Sequence, residues 1–109
     1  MEWIHLTDEG ELNNIIEKSK EKAQVIFKHS SRCSISSVAL HRFQKAARPG
    51  GIDFYFLDLI AHRSLSNKIA EVFNVHHESP QVLVIKDGRC VFHESHLSID
   101  MHEILDYAA

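Results

Sequence analysis

The sequence predicts an α/β fold in which helices cover both faces of a four-stranded mixed sheet. Helix-like and strand-like segments alternate in the order α-β-α-β-α-β-β-α along the 109 residues. Strands joined through a helix run parallel, whereas the last two strands flank the turn signal Asp87-Gly88 and run antiparallel. Because no linker, repeat or low-complexity tract interrupts this order, residues 1–109 are expected to form a single domain.

The first half of the chain supplies three of these elements. Thr7 can cap a first helix that begins at Asp8, where the acidic side chains of the first turn suit the helix dipole. Residues 24–28 (QVIFK) form an apolar run of strand length. After a polar turn, residues 35–46 place apolar side chains on one face of a second helix, which residues 48–51 (RPGG) end.

The second half supplies the remaining helices and strands, and each has a start or stop signal. In the first half, before the first helix, residues 3–6 are also a candidate for a further edge strand. The other elements are a strand at 52–59 (IDFYFLDL), a helix capped by Ser64 and ended by Asn74, strands at 81–86 and 89–93, and a last helix beginning at Ser98 or Ile99.

Composition disfavours several classes of protein. The chain holds 12 Lys and Arg against 15 Asp and Glu, so it offers no broad basic face and no nucleic-acid partner is expected. No stretch approaches the roughly 18 apolar residues of a membrane-spanning helix. Residues 1–5 lack the basic and then apolar profile of a signal peptide. We therefore expect a cytoplasmic protein with no membrane partner.

The two cysteines and nine histidines do not suggest a metal site. Cys33 and Cys90 lie far apart and form no C-x-x-C pair, and a disulfide is not expected in a reducing compartment. The histidines at 76, 77, 93 and 96 lack the spacing and context of a zinc motif, so no metal is expected. For Cys90 we expect a small buried residue of the hairpin, with a peripheral regulatory thiol as the alternative.

Cys33 is the candidate nucleophile because it follows a strand and stands at the start of a helix. The free N–H groups and positive dipole end of a helix, together with the adjacent Arg32, favour a thiolate over a thiol. Ser36 stands where dithiol oxidoreductases carry a second cysteine. Its hydroxyl can hydrogen-bond the Cys33 sulfur but cannot form a disulfide, so monothiol exchange is the predicted chemistry. The alternative is that Cys33 is an inert small residue at a helix start.

Three segments resemble the successive landmarks of thioredoxin-fold proteins: residues 33–36 (CSIS), 69–75 (IAEVFNV) and 79–88 (SPQVLVIKDG). More narrowly, nearly the whole chain resembles the YtxJ-type monothiol bacilliredoxins of the bacillithiol system. Those proteins usually carry Thr-Cys-Pro-Ile-Ser, whereas Arg32 and Ser34 replace the threonine and the proline here. The resemblance implies a thioredoxin-like fold. It also implies a cis proline at Pro80 opposite the nucleophile; the alternative is a trans proline that merely starts the strand.

The resemblance implies that the protein removes bacillithiol from S-bacillithiolated proteins and serves redox homeostasis and the stress response. Cys33 would attack the bacillithiol sulfur, and Ser79 and Pro80 would hold the substrate backbone. Arg32, Ser34 and Ser36 would support the active site, with Arg32 a candidate contact for the malate carboxylate of bacillithiol. The partners implied are the modified proteins, a low-molecular-weight thiol and a flavin disulfide reductase. No bound cofactor is expected, because bacillithiol acts as the co-substrate.

Two other functions fit the same residues. A redox-inert adaptor would bind a protein through the groove beside Pro80. An iron–sulfur carrier of the monothiol glutaredoxin type is disfavoured, because Ser34-Ile35 replaces the glycine that lets a cluster approach in C-G-F-S. His29, four residues before Cys33, either supports the thiolate as a cation or simply ends the strand.

Overall fold

The computed structural model describes residues 2–46 and 50–109, which form a five-stranded mixed sheet flanked by four α-helices. The strands lie in the order β1-β3-β2-β4-β5. The elements are β1 (Ile4–His5), α1 (Gly10–Lys18), β2 (Gln24–His29), α2 (Ser34–Lys45), β3 (Asp53–Asp58), α3 (Arg63–Phe73), β4 (Gln81–Lys86), β5 (Arg89–Ser95), a 3₁₀ turn (His96–Ser98) and α4 (Met101–Ala108).

The predicted α/β fold is confirmed, with five strands instead of four. Both β1 and β2 pair with β3 in parallel, and β4 runs antiparallel to β2 and to β5. The expectation that strands joined through a helix run parallel is therefore wrong for β3 and β4, because β4 pairs with β2 and not with β3, so the rule for a crossover between paired parallel strands does not apply to α3. The extra strand is the short edge strand β1, in which Ile4 and His5 pair with Tyr55 and Phe56. It lies within residues 3–6, the candidate for a further edge strand, and its two residues are too short to give a periodic strand signal of their own.

Apolar side chains on the two faces of the sheet form two separate core clusters. All six residues of β2 are buried, because helices cover both faces of this central strand. Ile26 belongs to the cluster packed by α1 and α3, whereas Val25 and Phe27 belong to the cluster packed by α2 and α4. No helix in the part of the chain described here is both long and apolar enough to span a membrane.

Helix α1 begins two residues later than the sequence predicted, at Gly10 instead of Asp8. Asp8 Oδ1 accepts the Glu11 N–H at 3.2 Å, and Glu11 Oε1 accepts the N–H groups of Thr7 and Asp8 at 3.0 and 3.2 Å. This reciprocal pair is a capping box, and its capping side chain belongs to Asp8 and not to Thr7.

The other helix ends agree with the sequence to within a few residues. Helix α3 starts at Arg63, and Asn74 ends it in the left-handed conformation, with φ of 54°. Helix α4 starts at Met101, later than the predicted start at Ser98 or Ile99, because Asp100 caps it by accepting the His102 N–H at 3.2 Å. The predicted stop at residues 48 and 49 lies outside the described residues.

The topology places the C-terminal end of β2 beside the N-terminal end of β4, at one end of the sheet. Lys28 of β2 pairs with Gln81 of β4, so the chain leaves β2 for Cys33 beside the point where Pro80 enters β4. Cys90 lies at the other end of the sheet, because it pairs with Ile85, which pairs with the first residue of β2. Both cysteines are free thiols.

Candidate active site

Cys33 is the N-cap residue of α2, with extended backbone angles (φ −112°, ψ 118°) and a half-buried side chain. Its carbonyl accepts the Ser37 N–H at 3.1 Å, and its own N–H donates to the Ser30 carbonyl at 3.1 Å. The Cys33 side chain makes no capping hydrogen bond to the first turn. The sulfur therefore lies at the positive end of the helix and is not tied up in capping.

Ser36 is fully buried, and its hydroxyl is bonded away from the thiol. Its Oγ accepts the Ser30 N–H at 3.0 Å and lies 2.7 Å from His29 Nδ1. The prediction that this hydroxyl can hydrogen-bond the Cys33 sulfur is wrong, because the hydroxyl is bonded instead to the end of β2 and to the residue that follows it. Ser36 thus shapes the turn before Cys33, because Ser30, which it holds, also accepts the Cys33 N–H.

His29 anchors this turn from the end of β2. Burial lowers the pKa of His29, and the charge of Asp58 and the bond to Ser36 only partly oppose that effect. The ring lies against Phe56 and Phe27, with centroid distances of 5.3 and 5.9 Å. We assign its Nδ1 as the acceptor of the Ser36 hydroxyl proton. A cationic His29 is therefore disfavoured at neutral pH, and its role is to hold Ser36.

Ser79-Pro80 is a cis peptide, as predicted, at the start of β4. Pro80 is buried and its carbonyl accepts the His96 N–H at 3.0 Å. The Ser79 hydroxyl is buried and has no hydrogen-bond partner within residues 2–46 and 50–109. Arg32 and Ser34, which flank Cys33 in sequence, are both exposed.

Sequence reasoning missed a buried cation next to this site. Lys28 of β2 is fully buried, and burial lowers its pKa to about 8. Its Nζ lies 3.2 Å from both the Ser66 carbonyl oxygen and His77 Nδ1. The available signal was a lysine within the apolar strand QVIFKH.

The histidines near the site do not assemble a metal centre. Glu78 lies between two of them, with its carboxylate oxygens 3.9 Å from His76 Nε2 and 3.5 Å from His96 Nε2. Among the residues that the structure describes, no three His, Cys, Asp or Glu side chains come together as metal ligands.

A thiol at the start of the helix after β2 and a cis proline at the start of β4, carried on this sheet, define a thioredoxin-fold oxidoreductase. A family model described as "Monothiol bacilliredoxin BrxC" matches residues 4–104. The chain therefore belongs to the monothiol bacilliredoxin family, which confirms the resemblance seen in its motifs.

Solved structures agree with this assignment. A protein described as a candidate oxidoreductase with a thioredoxin fold is 31% identical, with a TM-score of 0.84, and the match covers 97% of this chain and 93% of that chain. The thioredoxin of Fasciola hepatica is 18% identical with a TM-score of 0.76, covering 96% of this chain and 98% of that one. The thioredoxin of Malassezia sympodialis is 13% identical with a TM-score of 0.77, covering 99% and 92%. The two thioredoxins support the fold alone.

Proposed function

We propose that this protein removes bacillithiol from S-bacillithiolated proteins through Cys33. One observation carries the proposal: Cys33 stands alone at the helix start, with the buried hydroxyl of Ser36 bonded to His29 at the position of a resolving thiol. Cys90 lies at the opposite end of the sheet. An intermediate disulfide on Cys33 must therefore be resolved by an external thiol, which is the defining need of a monothiol enzyme.

The reaction proceeds as two thiol–disulfide exchanges. The Cys33 thiolate attacks the bacillithiol sulfur of the mixed disulfide, a bond forms between the two sulfurs, and the protein substrate leaves as a thiolate that takes a proton from water. A second bacillithiol, or a flavin disulfide reductase, then regenerates Cys33. In the first case the products are the free Cys33 thiolate and bacillithiol disulfide. The protein needs no bound cofactor in this scheme.

The residues around Cys33 suit a substrate with a backbone and an anionic end. The Ser79 backbone can pair with an extended substrate segment beside Pro80, in the manner of an added strand. Arg32 is exposed and next to Cys33, so its guanidinium can contact a malate carboxylate of bacillithiol. Ser34 is exposed on the first turn of α2, at the position where it can contact the same ligand.

Mass spectrometry of the trapped intermediate tests the proposal directly. The protein is incubated with an S-bacillithiolated protein, quenched with acid, and analysed for a bacillithiol adduct. We expect the adduct on Cys33 in the wild type and in Cys90→Ala, and no adduct or release of substrate thiol with Cys33→Ala. An adduct confined to Cys90, or binding of the modified protein without any exchange, would refute the proposal; the second result would favour an adaptor.

A further inference from the structure

Lys28 is a buried cation, and a contribution to stability does not by itself explain its presence. Its side chain is fully buried on the central strand, and none of the carboxylates in the described residues pairs with it. Removing an ammonium group from water is costly, and replacement of buried charges by apolar side chains is often neutral or stabilising. The role of this charge therefore has to be sought in the residues that Lys28 contacts.

These contacts converge on the segment that precedes the cis proline. The Lys28 ammonium donates to the Ser66 carbonyl of α3 and to His77 Nδ1, each at 3.2 Å. Ser66 Oγ is 3.3 Å from the same His77 nitrogen. Gln81, which pairs with Lys28 across the sheet, donates its side-chain N–H to the His76 carbonyl at 2.9 Å. We call Lys28, Ser66, His77 and Gln81 the polar clamp.

The polar clamp holds the middle of residues 74–80, the connection between α3 and β4. The start of this connection is fixed by the Val75 N–H, which donates to Ala70 O at 3.0 Å. Its end is fixed by the Pro80 carbonyl, which accepts the His96 N–H at 3.0 Å. Between these two points the polar clamp holds the backbone carbonyl of His76 and the side chain of His77, just before Ser79.

We propose that Lys28 and His77 are positioning residues, which hold the Ser79-Pro80 edge in the geometry that pairs with the protein substrate. This inference rests on the proposed function, because it assigns the polar clamp to substrate pairing and not to the chemistry at Cys33. Neither residue touches the reacting sulfurs, so loss of the polar clamp weakens substrate pairing and leaves the nucleophile intact.

Protonation of His77 breaks the polar clamp at acid pH. The pKa of His77 is lowered by burial first and then by the charges of Lys28 and Arg63, with His76 adding to the shift and Glu78 opposing it. Neutral His77 offers Nδ1 as an acceptor to the ammonium. A protonated His77 carries a hydrogen there and repels Lys28, so the polar clamp opens as pH falls through the lowered pKa of His77.

Steady-state kinetics with an S-bacillithiolated protein test the inference at pH 7.5. We expect Lys28→Met to raise KM about tenfold, the effect of losing one charge-assisted hydrogen bond, with kcat unchanged. The rate of Cys33 alkylation by iodoacetamide should also stay unchanged. Lys68→Met is the matched control, because it removes a surface lysine from α3 and should leave KM at the wild-type value.

His77 variants provide the second arm if Lys28→Met fails to fold. Because the polar clamp opens at acid pH, the wild-type KM should rise as pH falls through the lowered pKa of His77. Asparagine can place an acceptor near the position of Nδ1 and does not titrate. His77→Asn should therefore keep the wild-type KM at pH 7.5 and show no such rise. His77→Leu should raise KM as Lys28→Met does. The inference is overturned if folded Lys28→Met and His77→Leu keep the wild-type KM, or if they lower kcat and alkylation rate instead.

Hydrogen exchange separates this inference from the proposed function. In Lys28→Met and His77→Leu, the amides of Val75 and His96, whose hydrogen bonds hold the two ends of residues 74–80, should exchange about tenfold faster, as expected for one lost hydrogen bond, while those of β5 stay unchanged. Unchanged exchange at Val75 and His96 refutes the polar clamp. A wild type that releases no bacillithiol, with the exchange difference present, refutes the proposed function and the assignment of the clamp to it.

Discussion

Replacement of Ser36 by alanine tests how much its hydroxyl stabilises the turn that precedes Cys33. The substitution leaves His29 Nδ1 and the Ser30 N–H without the oxygen that lies 2.7 and 3.0 Å from them. His29 is buried and Ser30 half-buried, so neither group regains full hydration. An unsatisfied buried group costs about 1–3 kcal/mol, and the partly hydrated Ser30 N–H lies at the low end of that range.

The expected loss in the free energy of unfolding is therefore about 3 kcal/mol for Ser36→Ala. For a domain of this size that lowers the melting temperature by roughly 13 °C. Urea denaturation followed by circular dichroism measures it, with Ser37→Ala as the control. The Ser37 hydroxyl makes one exposed contact to Cys33 O at 3.4 Å, so its loss should cost less than about 0.5 kcal/mol.

The two variants also separate a structural from a chemical role for Ser36. If the hydroxyl served the Cys33 thiolate directly, Ser36→Ala would slow alkylation of Cys33 and barely change stability. Equal unfolding free energies for Ser36→Ala and Ser37→Ala would refute the assignment of Ser36 to the turn.

Three further predictions concern stability. Because burial lowers the pKa of Lys28 from 10.5 to about 8, the unfolded chain binds more protons than the folded chain between these values. The unfolding free energy of the wild type should therefore rise relative to that of Lys28→Met by about 3 kcal/mol as pH rises from 8 to 10.5 in thermal melts, and a constant difference would contradict the burial of this charge. Asp100→Ala should cost about 1 kcal/mol in urea denaturation through loss of the α4 cap, whereas exposed Asp106→Ala should cost almost nothing; equal costs would contradict the cap. Asn74→Ala should cost about 1 kcal/mol at its left-handed φ of 54°, and Asn74→Gly should not; equal stability of both variants would contradict this reasoning.

The sequence was sufficient to predict the position of the nucleophile. Cys33 follows an apolar run and precedes helical spacing, and such signals depend only on neighbours in the chain. Pro80 required the resemblance as well, because the cis state cannot be read from local composition. The two residues come together because β2 and β4 are neighbours in the sheet, an arrangement that the order of the elements alone does not fix and that only the resemblance to thioredoxin-fold proteins implied.

The sequence was insufficient to predict where polar side chains point. Ser36 belongs to the right turn of α2, but its hydroxyl direction depends on His29, seven residues away across the turn. The burial of Lys28 depends on contacts with Ser66 and His77, which are distant in sequence. Such partners are set by tertiary packing, and no periodic pattern encodes them.

Because Cys90 lies far from the active site, it can serve as an internal reference thiol for the reactivity of Cys33. Its S–H donates to the Phe92 carbonyl at 3.2 Å, and burial raises the pKa of the thiol, so Cys90 remains protonated at neutral pH. A protonated and partly buried thiol reacts slowly with electrophiles. The ratio of labelling at Cys33 and Cys90 in one digest therefore reports the reactivity of the nucleophile without knowledge of protein or reagent concentration. A change in that ratio across a variant series then distinguishes an altered active site from a change in the amount of folded protein.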